Sequence, residues 1–183
     1  ETFALRLFSN LAGNETILET KRLVLRKWTD DDCDALFEIL RDAEVVRYVD
    51  DGQPFSRDKT LKFLDAMKIC VEKNGFCRWK TVEKSSGEIV GSCGFGRIAE
   101  TGEIELGYLL RRNSWGKGYA TEIAGAVTLY GFKNLGFREI IALTALDNSA
   151  SQKVLEKIGF ASRGIEVVGG KESLVFIKKK SDE

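Results

Sequence analysis

From Arg111 to Thr121 the chain reads Arg-Arg-Asn-Ser-Trp-Gly-Lys-Gly-Tyr-Ala-Thr. Gly116 and Gly118 flank Lys117 and let the backbone fold close to a ligand. A helix that begins just after them leaves its first amides unpaired, and such amides are donors for an anion. Arg111, Arg112 and Lys117 bring positive charge to a stretch without an acid. A second polar run, Asp147-Asn-Ser-Ala-Ser151, follows an apolar segment further on. If both runs leave the same edge of a sheet, they face one crevice suited to a phosphorylated ligand. The plainer alternative makes the glycines a turn and the basic residues a solvated face; helix start, charge and neighbouring strand together favour the anion site.

The rest of the composition narrows the chemistry. There is no histidine, which excludes Ser-His-Asp and Cys-His nucleophile systems, histidine-bearing zinc sites and histidine bases. Lys and Arg number 28 and so do Asp and Glu, a zero net charge that argues against nucleic acid as a partner. Cys33, Cys70, Cys77 and Cys93 form no C-x-x-C pair, so they read as buried apolar groups in a reducing compartment, and no metal site is expected. No apolar run approaches the roughly 18 residues of a membrane span, and Arg6 interrupts the first apolar stretch where a secretory signal needs continuity. A cytoplasmic protein without a membrane partner is the expectation.

At 183 residues, 43% hydrophobic and 31% charged, the chain fits one globular domain. Residues 1–19 carry weak periodicity and read as an extension or a short helix, with residues 20–183 forming the domain. Alternation predicts a strand over 21–27. Thr29 before three aspartates caps a helix to about Arg41; residues 47–55 read as a loop, and Ser56 caps a helix to about Glu72. Residues 76–83, 88–98 and 103–110 predict an antiparallel meander with turns ending in Gly87 and Gly102. A helix over 119–135, a strand over 139–146 and a helix over 149–158 follow, then a hairpin, 160–168 and 172–178, around Gly169-Gly170. The fold class is α+β: a mixed, mostly antiparallel sheet flanked by helices, with one central strand–helix–strand unit over 103–146 and a cleft between its two parallel strands. Gly94-Phe-Gly-Arg-Ile-Ala99 imitates a dinucleotide fingerprint, but a turn and a strand follow it rather than a helix, so it is set aside.

Trp115-Gly-Lys-Gly-Tyr-Ala120 resembles the acyl-CoA pyrophosphate loop of the GNAT N-acetyltransferases, written Gln/Arg-Gly-x-Gly-x-Gly/Ala. Asn148-x-x-Ser151 and Glu156-Lys-Ile-Gly-Phe160 are similar to the family's second CoA-contacting helix and the strand after it. Thr20-Lys-Arg-Leu-Val-Leu-Arg26 and Glu105-Leu-Gly-Tyr108 resemble the RimJ/RimL branch, the ribosomal-protein N-terminal acetyltransferases and their relatives. The likeness spans about residues 20–178.

The resemblance implies acetyl transfer from acetyl-CoA to a primary amine, a protein N-terminus or a small molecule, by direct attack on the thioester. It implies that amides from Gly116 through Lys117, Gly118, Tyr119 and Ala120 to Thr121 hold the pyrophosphate, with Trp115 in the loop's first position and Lys117 adding charge. Leu109 and Leu110 would pair with the pantetheine arm, one amide polarising the thioester carbonyl. Asn148 would hydrogen-bond the pantetheine, and Lys153 would reach a phosphate. Many family members carry a tyrosine seven residues after the asparagine as the acid for the leaving thiolate; here that position is Leu155, and Ser151 is the nearest hydroxyl of the kind the RimJ/RimL branch uses. An ordinary first-turn polar residue is the other reading of Ser151. Glu105 matches the glutamate of the branch pattern and is the base, with Glu103 or water alone as alternatives. An α-amine is neutral in roughly one molecule in five to ten at pH 7, against about one in 2,500 for a lysine side chain, so an α-amine acceptor asks little of a base. A homodimer is compatible with the resemblance. Against this stands a non-catalytic acyl-CoA-binding domain, suggested by Leu155 and distinguished by the lack of acceptor-dependent turnover.

Overall fold

The computed structural model describes residues 15–181. In chain order its elements are β1 (Thr16–Glu19), β2 (Leu23–Arg26), a 3-10 turn (Asp30–Asp32), α1 (Cys33–Leu40), α2 (Ala43–Val46), α3 (Arg57–Asn74), β3 (Arg78–Glu83), β4 (Ile89–Arg97), β5 (Ile104–Leu110), α4 (Tyr119–Lys133), β6 (Glu139–Thr144), α5 (Ser149–Lys157), β7 (Ala161–Val168) and β8 (Lys171–Lys179); a further 3-10 turn, Arg112–Ser114, leads from β5 toward α4. The strands form one eight-stranded sheet in the order β1-β2-β3-β4-β5-β6-β8-β7. Every neighbouring pair is antiparallel except β5 and β6. The meander, the parallel pair and the closing hairpin therefore stand where the alternation of the sequence puts them.

Two elements differ from expectation. Thr16–Glu19 is a strand paired with β2, where the reading had an extension or short helix; the rest of that segment, residues 1–14, lies outside the described residues. The turn of helix at Ala43–Val46 also escaped notice, being too short for periodicity and capped by Asp42, whose carboxylate accepts from the Glu44 amide at 3.0 Å. Caps that were legible did form: the Ser56 hydroxyl accepts from the Lys59 amide at 3.1 Å, and Asp32 accepts from the Thr29 amide at 2.7 Å.

Pleating divides the sheet's side chains between two helical layers. Leu23, Leu25, Trp79, Cys93, Phe95, Leu106, Leu110, Ile140 and Ala142 pack on one face with Ile123, Ala124 and Val127 of α4 and Leu155 of α5. Cys77 and Leu109 turn to the other face, against Leu36, Ile39 and Leu40 of α1 and Leu64 and Met67 of α3. The thiols follow this pattern: burial pushes Cys77 and Cys93 up to about 12, so both are inert apolar filler. Gly94 and Gly96, the imitation fingerprint, lie inside β4; a side chain at Gly94 would sit 1.9 Å from the Cys77 carbonyl, so close strand approach explains the glycine there.

The site is positioned by the way β5 and β6 part. β5 stays registered with β4 as far as Gly91↔Leu110, whereas its pairing with β6 is the one register pair Glu105↔Ile141. Beyond Glu105 the parallel strands diverge, and a wedge opens toward their carboxyl ends. α4 starts at one lip of the wedge and α5 at the other.

Candidate functional site

Trp115 opens the glycine loop and is pinned to the strand it leaves, its indole Nε1 donating to the Leu110 carbonyl at 2.7 Å. Gly116 and Gly118 follow with φ of 72° and 77°, a left-handed backbone that L side chains resist. The chain thereby doubles back into the first turn of α4. Among the described residues, the backbone amides from Gly116 to Thr121 find no protein acceptor, so they form a row of donors at a helix N-terminus. The side chain of Lys117 forms no ion pair among the described residues, although its charge helps hold Glu83 low, and its ammonium lies 5.8 Å from the centre of the Tyr119 ring.

The other two basic residues are placed elsewhere. Arg111 pairs with Glu88 at 2.9 Å and Arg112 with Asp42 at 2.8 Å, so the local charge excess read from sequence is largely neutralised by acids distant in the chain. A cation the sequence reading passed over stands in their place. Arg22, from the β1–β2 turn, donates through Nη1 to the Lys117 carbonyl at 2.8 Å and lies 4.5 Å above the Tyr119 ring centre. Glu122 of α4 holds it there, accepting from Nε at 2.7 Å and from the Arg22 amide at 2.8 Å, with the Thr20 hydroxyl donating at 2.6 Å.

Leu109 and Leu110, read together as the strand end facing a pantetheine arm, are separated by the pleat. The Leu109 carbonyl points at Gly91 of β4, where a Cβ would approach it to 2.1 Å, so the polar groups of Leu109 belong to the β4 ladder. Backbone polarity alternates along a strand, and the Tyr108 and Leu110 amides therefore face the wedge. The Leu110 amide thus lies on the wedge side, while the Leu109 side chain packs in the core at 8% exposure.

On the opposite lip, Asn148 caps α5, its side-chain oxygen accepting from the Ser151 amide at 3.2 Å while its amide nitrogen has no acceptor among the described residues. The Ser151 hydroxyl lies 2.8 Å from the Tyr108 hydroxyl, which also donates to the Ser151 carbonyl at 3.2 Å. Burial pushes the Tyr108 phenol up to about 12, with the Ser151 hydrogen bond pulling the other way. Leu155 is fully buried in the core, so the position where many family members carry the acid faces packing rather than the wedge. Lys153 is exposed on α5 with no acid partner among the described residues, and nothing draws it toward the glycine loop.

Glu105 sits where β5 and β6 still pair, its carboxylate 3.0 Å from Arg78 of β3 and one of its oxygens without a partner among the described residues. Arg78 reaches it by lying flat over Gly107, where a Cβ would clash at 2.3 Å with Nε. Glu103 is occupied on both oxygens, by Arg163 and by Thr101 at 2.8 Å, and the Arg163 hydrogen bond holds its carboxyl below the usual range. By strand parity Glu105 lies on the sheet face opposite the Tyr108–Ser151 pair. The loop over 47–55 closes the open side: Arg47 and the Tyr48 hydroxyl each contact Asp147 at 3.2 Å, and Lys171 of β8 donates to the Asp50 carbonyl. Among the described residues no cluster of acids and thiols could hold a metal ion, and no helix is long and apolar enough to cross a membrane.

The family model described as "Acetyltransferase (GNAT) domain" matches residues 22–161. A Bacillus subtilis protein named uncharacterized N-acetyltransferase YoaA is 33% identical over 150 residues, covering 81% of this chain and 85% of that protein. The crystal structure of an acetyltransferase from Agrobacterium tumefaciens superposes with a TM-score of 0.79 at 26% identity, covering 91% of this chain and 95% of the other. RimL, described as a ribosomal L7/L12 α-N-protein acetyltransferase in complex with coenzyme A, superposes with a TM-score of 0.77 at 19% identity, covering 90% and 98%; at that identity the likeness is one of fold.

Proposed function

The chain belongs to the GNAT acetyltransferase family, and from that premise we propose that it moves an acetyl group from acetyl-CoA to a primary amine of the α-amino class, on a protein N-terminus or a small molecule. The observation that carries the reading is the row of unpaired amides from Gly116 to Thr121 set beside a β5 edge that β6 has left free. The amides take the pyrophosphate of the donor, Lys117 adds charge, and the pantetheine arm lies along β5 as a strand would. The Asn148 amide nitrogen donates to that arm from the other lip. The Leu110 amide, aimed into the wedge, is the donor for the thioester oxygen as it gains charge.

The acceptor nitrogen attacks the thioester carbon, the carbon–sulfur bond breaks, and its electron pair leaves on sulfur. The nitrogen sheds one proton on becoming an amide, and Glu105 takes it through water on its unpartnered oxygen. Ser151 donates a hydrogen bond to the departing thiolate. Tyr108 does not supply the proton: a phenol at about 12 loses to a thiolate of ordinary value about 8.5 by several kcal/mol. It stays protonated and aims the serine: with a thiolate to serve, its one proton turns from the Ser151 carbonyl to the Ser151 Oγ, which frees the serine proton for the sulfur.

The test is thiol release from acetyl-CoA with a panel of free N-terminal peptides, N-blocked lysine peptides and small amines. Turnover with α-amines above that with blocked lysine peptides is expected. CoA binding without turnover on any acceptor would establish the non-catalytic reading instead.

A further inference from the structure

We infer that Arg22 is a cofactor-binding residue that acts from outside the glycine loop, locking one peptide plane of the pyrophosphate cradle and presenting its spare guanidinium edge to the phosphates. The inference rests on the function proposed above and adds a determinant to it. In a trans peptide the carbonyl and the following N–H point in opposite directions. Arg22 Nη1 binds the Lys117 carbonyl at 2.8 Å, so the Gly118 N–H is turned the other way, into the row of free donors. Gly118 has no Cβ to resist a flip of that plane, and a flipped plane would aim a carbonyl dipole at the anion. The guanidinium is what excludes it.

The clamp is built rather than incidental. Glu122 is on the first turn of α4, the element whose amides do the binding, and it receives Arg22 Nε, the Arg22 amide and the Thr20 hydroxyl. Tyr119 supplies a ring beneath the guanidinium, and its own hydroxyl is tied to Glu83. With Nε and Nη1 engaged, Nη2 has no acceptor among the described residues, and it lies 3.5 Å from the place a Gly118 Cβ would occupy. A planar fork can serve carboxylate, carbonyl and phosphate at once, which an ammonium cannot.

The experiment compares wild type, Arg22→Met, Arg22→Lys and Glu122→Gln. CoA affinity is read by calorimetry and turnover is read with two donors, acetyl-CoA and acetyl-pantetheine, the second lacking the pyrophosphate. Arg22→Met should weaken CoA binding about tenfold or more, the scale of a hydrogen bond to a charged group. Arg22→Lys should recover only part of it. Glu122→Gln, which leaves the arginine in place but loosens its anchor, should show the same donor selectivity. With acetyl-pantetheine the variants should lose far less turnover than with acetyl-CoA, and the Tm of each variant controls for folding. Equal losses with both donors would show a merely structural role and overturn the inference, as would unchanged CoA affinity in the variants. A wild-type protein that fails to bind CoA would remove the function reading and the clamp with it; binding by wild type with unaffected variants removes the clamp alone.

Discussion

Replacing Tyr108 by Phe deletes one hydroxyl and keeps the ring where it packs. The lost contacts are the 2.8 Å hydrogen bond to the Ser151 hydroxyl and the 3.2 Å bond to its carbonyl. A neutral hydrogen bond contributes about 1 kcal/mol net, and one to a charged group about 1.5–3. Tyr108 does not touch the thiolate but fixes the group that does, so its loss belongs at the lower end, about 1–1.5 kcal/mol, or roughly a five- to tenfold fall in kcat. Ser151→Ala removes the charged hydrogen bond itself, about ten- to a hundredfold. If Tyr108 acts through Ser151, the double variant should be no slower than Ser151→Ala alone, a non-additivity that independent sites do not show. The assay is initial-rate thiol release at saturating acceptor, with acetyl-CoA varied so that kcat and KM separate; KM should stay put. A Tyr108→Phe enzyme as fast as wild type, or a double variant slowed by the full product of the two factors, would refute the coupling.

Glu105→Gln should lower kcat about a hundredfold, the usual scale for a proton acceptor, and the same change at Glu103 should lower it far less; rates on one α-amine peptide decide it. Gly118→Ala forces an L side chain to φ near 77° at a cost of about 1–2 kcal/mol, lowering Tm by roughly 2–8 °C and weakening CoA binding together. Acetyl-CoA at a hundred times its Kd should stabilise the fold by about 2.7 kcal/mol, seen as a rise in Tm that acceptor amine alone does not give. The acid side follows from carboxyls held low in the fold: Glu103 by Arg163, Glu83 by Tyr119, and Glu122, where burial pushes up but the Thr20 and Arg22 hydrogen bonds prevail. Each binds its proton more readily when unfolded, near pH 4.3, so their stabilisation is complete above that value and is lost as pH falls through the folded values; Tm should hold level down to about pH 5 and then drop. A Tm that rises on acidification through pH 4 would contradict the sign.

What could be read from the chain was what repeats or what stands close in sequence. The antiparallel meander, the strand–helix–strand unit, the glycine loop and the Ser56 cap all rest on spacings of a few residues. Missed features rest on distance. Arg22 meets Lys117 and Glu122 from the far end of the chain, and Tyr108 meets Ser151 across the wedge; no periodicity links such positions. The same blindness made Arg111 and Arg112 look free, because Glu88 and Asp42, which neutralise them, come from other strands and turns. β1 was lost because a four-residue edge strand carries too little alternation to be separated from a polar turn. Leu109 was assigned to the cleft because sequence gives side-chain parity but not which neighbour a strand's backbone faces.

The single rung between β5 and β6 also has a bearing on how the protein breathes. On either side of it stand two well-laddered leaves, β1–β5 and β6–β8, joined otherwise by the helices packed across them. Such a seam is where local opening is easiest, because few backbone bonds must break for the leaves to part. A donor lying along β5 would add the missing rungs and stitch the leaves together. Amide hydrogen exchange at Tyr108 and Leu110 should then be fast in the free protein and slow when CoA is bound, while the β3–β4 ladder exchanges slowly in both. The acetyl donor would thus be a removable strand of the sheet as well as a reactant.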